Sequence, residues 1–272
     1  MIMKKIYRIA ALLSVVTFAV SGCVEENLEP VKPNKPANNG DEILFGARAG
    51  FENSDPDTKT AYSGATYYDV EGKKFERIDW VADDKIEIYC PQAINGPTSH
   101  YSVVESYNED GKNSFASLLR VGASSLQWNG DGEHTFYAMY PSSLMHPEDL
   151  SKTVESGVYM DVSGKNVLVK GFIPNVQNPV GELEYDSQTK TYTAKPDMNF
   201  AYMVAKSTAT REAGNVSLSF VPIVTAVEVE LKNNTGATIS IGEIQVKANE
   251  PVAGSFSADL TDWTGTYPKC SI

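Results

Sequence analysis

The chain has 272 residues, with 35 Asp and Glu against 23 Lys and Arg, a formal net charge of −12 and only three cysteines. Nucleic-acid binding requires clustered basic charge, so no nucleic-acid partner is expected. Acidity spread in this way gives a solvated surface that repels other acidic surfaces and carries no catalytic signal of its own.

Lys4, Lys5 and Arg8 precede a run that is almost wholly apolar from Ile9 to Val20. A positive start, a short apolar core and small residues at its end describe a secretory signal. A membrane-spanning helix needs about 20 apolar residues, and this run is too short for one. The tetrad Val20-Ser21-Gly22-Cys23 resembles the lipobox of bacterial lipoproteins, in which the cysteine thiol receives a diacylglyceryl group and the chain is cut before it. Cys23 is then the lipidated first residue of the mature protein, anchored by several acyl chains where one would hold only marginally. The alternative is an ordinary signal-peptidase site with an incidental cysteine, and the leader, box and tether in series favour the anchor. Losing the leader removes Lys4, Lys5 and Arg8 and raises the net negative charge.

Residues 24–41, VEENLEPVKPNKPANNGD, hold three prolines and four asparagines, too polar a stretch to bury a core, and read as an extended tether. Glu25-Glu26 directly after the cysteine resembles the export signal of surface lipoproteins in the Bacteroidota, although a charged tether explains the pair equally well. The expected location is the outer membrane, lipid-anchored and facing the cell surface. Cys90 and Cys270 then remain, with no CxxC or Cys/His spacing near either. They read as independent thiols or, in an exported protein, as a disulfide pair.

From Glu42 onward short apolar runs and alternations are bounded by Gly, Asn, Asp and Pro, the pattern of strands and turns. Strands are expected at 43–49, 77–81, 85–89, 100–106, 114–119, 135–140, 158–162, 168–171, 191–194, 199–205, 215–220, 226–232, 240–246 and 254–260. Turns at Asn108–Lys112, Asn129–Gly132 and Asn233–Gly236 offer residues that tolerate positive φ. In VEVEL, Val227, Val229 and Leu231 alternate with charged neighbours, so one face is buried and the other wet. TFYAMYP, residues 135–141, is apolar on both faces and belongs in the middle of a core.

No enzyme signature emerges. His100, His134 and His146 stand in unlike contexts without HExxH, and no G-x-S-x-G elbow or phosphate-binding loop is present. Asp83-Asp84 falls where a hairpin turn is expected. Asn129, Asp131 and Glu133 alternate like a calcium loop, but His134 occupies the glycine position and the distal Glu is missing. No metal and no cofactor are expected, and the protein reads as a non-enzyme.

Ile43-Leu44-Phe45, Lys59-Thr60-Ala61-Tyr62, Ile78-Asp79-Trp80, Asp83 to Tyr89 and Phe136 to Pro141 recur in the order and spacing of a known first domain. Tyr202 to Ala205, Val216 to Phe220, Thr225 to Leu231 and Ile239 to Gly254 resemble the crossing into a second. Together they resemble the fimbrillin-like pilin lipoproteins of the Bacteroidota over nearly the whole mature chain. The resemblance implies an all-β fold of two transthyretin-like, Greek-key β-sandwich domains, residues 42–211 and an incomplete 212–272, behind the leader (1–23) and tether (24–41). It implies a stalk, tip or anchor subunit of a fimbria that supports adhesion and binds other fimbrial subunits by β-strand donation, with a host protein or glycan as a further partner. In that family an arginine-specific protease removes the lipidated leader from stalk subunits. Arg48, the first arginine after the tether, is the candidate site; the alternative is a solvent-facing strand residue. Arg211 is a second candidate, in a loop between domains.

The tail Tyr267–Ile272 shows no strand pattern and the family's C-terminal donor segment is missing, so either the reading frame is truncated or a minor subunit accepts a strand and donates none. Val227, Val229, Leu231, Ile239, Ile241, Ile244 and Val246 would then face no complete opposing sheet and leave an open apolar surface. The competing function is a surface glycan-binding lipoprotein that stacks sugars on exposed rings, although Trp80 and Trp128 lie in core-like surroundings.

Overall fold

The computed structural model describes residues 40–49, 66–68, 74–76, 78–107, 113–142, 158–178, 180–187, 191–195, 198–225, 227, 229, 231–237 and 239–272. These residues form an all-β protein with two packed sheets and no α-helix among them. Its strands are β1 (Leu44–Ala49), β2 (Thr66–Tyr68), β3 (Lys74–Glu76), β4 (Lys85–Tyr89), β5 (Thr98–Tyr107), β6 (Ser114–Arg120) and β7 (His134–Tyr140). They continue with β8 (Val158–Asp161), β9 (Leu168–Ile173), β10 (Val180–Asp186), β11 (Thr191–Lys195), β12 (Met203–Ala209), β13 (Asn215–Pro222), β14 (Gly254–Asp259) and β15 (Lys269–Ser271).

Seven strands curl into a closed sheet in the order β1-β13-β12-β7-β4-β5-β6, with β6 returning to β1. Every pairing in it is antiparallel except β1 with β13. A second sheet, β15-β14-β9-β8, is antiparallel throughout. β2 with β3 and β10 with β11 form separate two-stranded ribbons.

The period of two along each strand sorts side chains between two cores. Phe45, Ile86, Ile88, Tyr101, Phe136, Leu218 and Phe220 fill the inside of the closed sheet. On β7, Phe136 and Ala138 point into that core, while Tyr137 and Met139 point outward into a second core with Val158, Met160, Val169, Val204, Phe256 and Ala258. The doubly apolar TFYAMYP is therefore the shared wall between the two cores. Across this seam Tyr202 Oη donates to the Phe172 carbonyl at 3.0 Å and Lys206 Nζ donates to the Thr261 carbonyl at 3.1 Å.

Several expectations need correction. The boundary at Arg211 does not separate the sheets: β12 and β13 flank it and pair with each other. The second sheet takes β8 and β9 from before that residue and β14 and β15 from after it. The physical reason is that β13 is required beside β1 to close the first sheet, a parallel pairing of distant segments that local pattern does not reveal. The tail does carry a strand, since β15 pairs with β14 through Cys270 opposite Ala258. β2, β3, β10 and β15 are not among the strands expected from sequence. Residues 78–80 are not a strand; there the Trp80 amide donates to Ser114 Oγ at 3.0 Å. Residues 108–112 and 143–157, which include His146, lie outside the described residues.

None of the described residues within 226–232 and 240–246 pairs in a sheet, in contrast to the strands expected there. The turn between them does form, with Asn233 Oδ1 accepting from the Thr235 amide at 3.0 Å and Gly236 at φ 74°. The expected open apolar surface is present, with Val227, Val229, Leu231, Ile239, Ile241, Ile244 and Val246 between 45% and 66% exposed. Segments with few buried contacts open at low free energy. Trypsin is therefore expected to cut first at Lys232 and Lys247, leaving β13 and β14 protected and the nicked halves associated under native conditions. Mass spectrometry of the nicked species checks this; loss of everything beyond Arg211 would contradict it.

Candidate functional site

The sequence Ile43 to Ala49 alternates cleanly. Ile43, Phe45, Ala47 and Ala49 are buried inside the closed sheet, and Leu44, Gly46 and Arg48 face outward. β1 runs parallel to β13 from Leu44 opposite Asn215 to Ala49 opposite Phe220. On its other side it runs antiparallel to β6, with Gly46 opposite Ser117 and Arg48 opposite Phe115. Phe45 meets Tyr101 and Phe136 edge to face, with ring centroids 5.0 and 5.4 Å apart. Burying a side chain of this size contributes about 1.5–3 kcal/mol, so Phe45 is the main apolar anchor of the strand.

The chain is already engaged before β1. The Gly40 amide donates to the Trp128 carbonyl at 3.0 Å, the Trp128 amide to the Asp41 carbonyl at 3.0 Å, and the Ile43 amide to the Leu126 carbonyl at 2.9 Å. Arg120 Nε lies 3.4 Å from Glu42 Oε1. The segment from Gly40 to Ala49 thus lies along the closed sheet as one extended strip. Without β1, strands β13 and β6 would face each other with open N–H and C=O groups, above a floor of Ala116, Leu118, Val216, Leu218 and Phe220.

Of the residues singled out from sequence, Arg48 is the penultimate residue of β1, with its guanidinium carbon 5.8 Å from the centroid of the Phe115 ring. Cys23 lies outside the described residues. The Arg211 side chain is only 11% exposed and donates through a guanidinium nitrogen to Asp131 Oδ1 at 3.1 Å, which is poor access for a protease. Asp83 takes a left-handed φ of 73° and Asp84 Oδ2 accepts from the Val81 amide at 2.9 Å, a turn rather than a catalytic pair. Asp84 Oδ1 also accepts from Tyr140 Oη at 2.9 Å.

His134 is buried against Trp128 and Phe136, with Nε2 accepting from the Asn129 amide at 3.2 Å and Nδ1 2.9 Å from the Gly132 carbonyl oxygen. His100 Nδ1 lies 2.9 Å from Ser142 Oγ. Trp80 and Trp128 are core residues. Cys90 is buried, Cys270 is exposed on β15, and no bond joins them. Among the described residues no three His, Cys, Asp or Glu side chains are grouped to hold a metal, and no helix is long and apolar enough to cross a membrane. The exposed ring pair Tyr185 and Tyr192 on the β10–β11 ribbon is tilted by 40° rather than coplanar.

One polar group escaped the sequence reading. In Lys85-Ile86-Glu87-Ile88-Tyr89 the alternation puts Glu87 on the outer, wet face, yet it is 2% exposed. Its cross-strand neighbours are His100 on β5 and Met139 on β7, and Met139 is fully buried in the second core. The outer face of β4 is covered here, which no local pattern in the strand reports. Burial raises the Glu87 carboxyl from 4.5 to about 7. A carboxyl raised in the folded state favours the protonated form, so its contribution is full below about pH 4.5 and is lost as pH rises through about 7. Glu87→Gln, which stays neutral, should gain up to about 3 kcal/mol over the native chain at pH 8 and little at pH 4.5. Urea unfolding of both proteins at the two pH values measures the difference; an equal gap at both would contradict the assignment.

The family model described as fimbrillin-like matches residues 74–269, and the chain belongs to that family. It is a fimbrial-type subunit with the β-sandwich architecture that the resemblance implied. The matched range begins at Lys74 and includes neither β1 nor Cys23. Among solved structures, the chain is similar to a protein of Bacteroides ovatus ATCC 8483 provisionally described as a cell adhesion protein. Identity is 14%, coverage is 86% of this chain and 77% of that one, and the TM-score is 0.39. No curated protein matches the chain.

Proposed function

We propose that the protein is an outer-membrane lipoprotein anchored through Cys23 that is built into a fimbria as a stalk, tip or anchor subunit by exchanging β1 for a strand of a neighbouring subunit. The observation that carries this reading is the slot itself. β1 makes the one parallel pairing of the closed sheet, with β13, and comes from the start of the globule. A strand donated by a neighbour would satisfy the same two rows of backbone groups, with alternate side chains taking the places of Phe45, Ala47 and Ala49. Cleavage after Arg48 would free the slot by cutting β1 itself. Adhesion then follows from display on the fimbria, to a host protein or glycan. The tilted Tyr185–Tyr192 pair gives less support to the glycan-binding alternative than a flat platform would.

Two experiments test the proposal. Gly46 and Ser117 face each other on the outer surface of β1 and β6, and a Cβ added at Gly46 meets nothing closer than the Ala116 carbonyl oxygen at 3.7 Å. Gly46→Cys with Ser117→Cys, in a Cys270→Ser background, should therefore bridge β1 to β6. The oxidised protein is expected to stay out of fimbriae and the reduced protein to enter them; equal incorporation would remove β1 exchange from the account. Separately, Cys23→Ser is expected to abolish labelling by a metabolically supplied fatty acid, and undiminished label would remove the anchor.

A further inference from the structure

Three side chains from three adjacent strands form a row on the outer surface of the closed sheet. Arg48 on β1 stands opposite Phe115 on β6, and Phe115 stands opposite Tyr107 on β5. The Arg48 guanidinium carbon lies 5.8 Å from the Phe115 ring centroid. The Phe115 and Tyr107 rings stack with centroids 5.4 Å apart and planes 15° from parallel. On the other side of Arg48 the opposing residue is Ser219 of β13, too small to provide a ring face. The row therefore runs one way, from β1 across β6 to β5, and ties the outer surface of β1 to strands that remain when β1 leaves.

We propose that the Arg48–Phe115–Tyr107 row is a latch that holds β1 in its slot and withholds the Arg48 side chain from an arginine-specific protease, so that opening of the row sets when β1 is cut. The proposal rests on β1 being the exchanging strand. A protease of this specificity binds its substrate as an extended chain and takes the arginine side chain into its own pocket. Arg48 is extended but engaged in place: its backbone is paired on both sides and its guanidinium lies over a ring. Cutting then requires β1 to lift locally, and its rate follows the population of the lifted form when reclosing is fast. The planar guanidinium stacks on an aromatic face as a lysine ammonium does not. Phe115 serves as a ring for Arg48 on one side and for Tyr107 on the other, so the two contacts should act as a unit.

Trypsin, which cuts after both arginine and lysine, is the probe, used on the mature chain with cleavage after residue 48 followed by mass spectrometry. Cleavage after Lys165, in the exposed bend between β8 and β9, is the internal reference. Arg48→Lys keeps a cleavable residue and the charge but loses the stacking. Phe115→Val and Tyr107→Thr remove the rings while keeping good strand formers. Each is expected to raise the rate at residue 48, relative to that at Lys165, by about three- to tenfold. Combining Arg48→Lys with Phe115→Val should add little to the larger single effect, because one contact has been removed twice. An unchanged ratio in Arg48→Lys and Phe115→Val, or an equal rise at Lys165, would overturn the latch. The assay reads an isolated chain with no assembly step, whereas the cysteine bridge reads exchange, so the two claims fail separately.

Discussion

The structure depends on one pairing, the parallel ladder between β1 and β13. All other strand contacts in the closed sheet are antiparallel, and several join neighbours in sequence, such as β4 with β5 and β5 with β6. β1 against β13 instead joins the start of the globule to a strand far along the chain, across a large loop-closure entropy. Two features offset that entropy: Phe45 fixed between two other rings, and the strip from Gly40 to Ile43 bonded along residues 126–128. With the ladder made, the sheet has no edge. Without it there are two, over a deep apolar floor. Under the proposed function, a single removable closure of this kind would keep the subunit inert when alone and reactive in a polymer, and β1 lies at the start of the closed sheet where such a closure can be withdrawn.

The second sheet makes the arrangement workable. β7, and β12 from Met203 to Ala205, are apolar on both faces because each forms a wall of two cores. β8, β9 and β14 cover them and hold that side of the closed sheet, leaving the proposed exchange at β13 and β6 to the opposite side. The covering also explains Glu87, a carboxyl on a strand that would otherwise be washed by solvent.

What could be read from the sequence follows the range of the physics involved. Strand positions such as Lys85–Tyr89 depend on alternation between adjacent residues and were visible at once, as was the core role of Trp80, Trp128 and TFYAMYP. The turn residues Asp83 and Gly236, both at positive φ, were equally legible. Pairing between distant segments was not. Local alternation therefore reports neither the pairing of β12 with β13 across Arg211, nor β15, nor the burial of Glu87. ISIGEIQV marks the opposite case, where strong local β propensity did not yield a strand because none of the described residues covers its apolar side. Arg48 was singled out only as an arginine after the tether; its place over Phe115 depends on the β1–β6 register, which sequence alone does not supply.

The central claim is that β1 is a separable closure of an otherwise self-sufficient sheet. Amide hydrogen–deuterium exchange on the mature chain, before and after β1 is cut at Arg48 and displaced, tests it most directly. The account predicts that β13 and β6 lose protection while β4, β5, β7 and β12 retain it. Loss of protection throughout both sheets, or no change in β13 and β6, would contradict it.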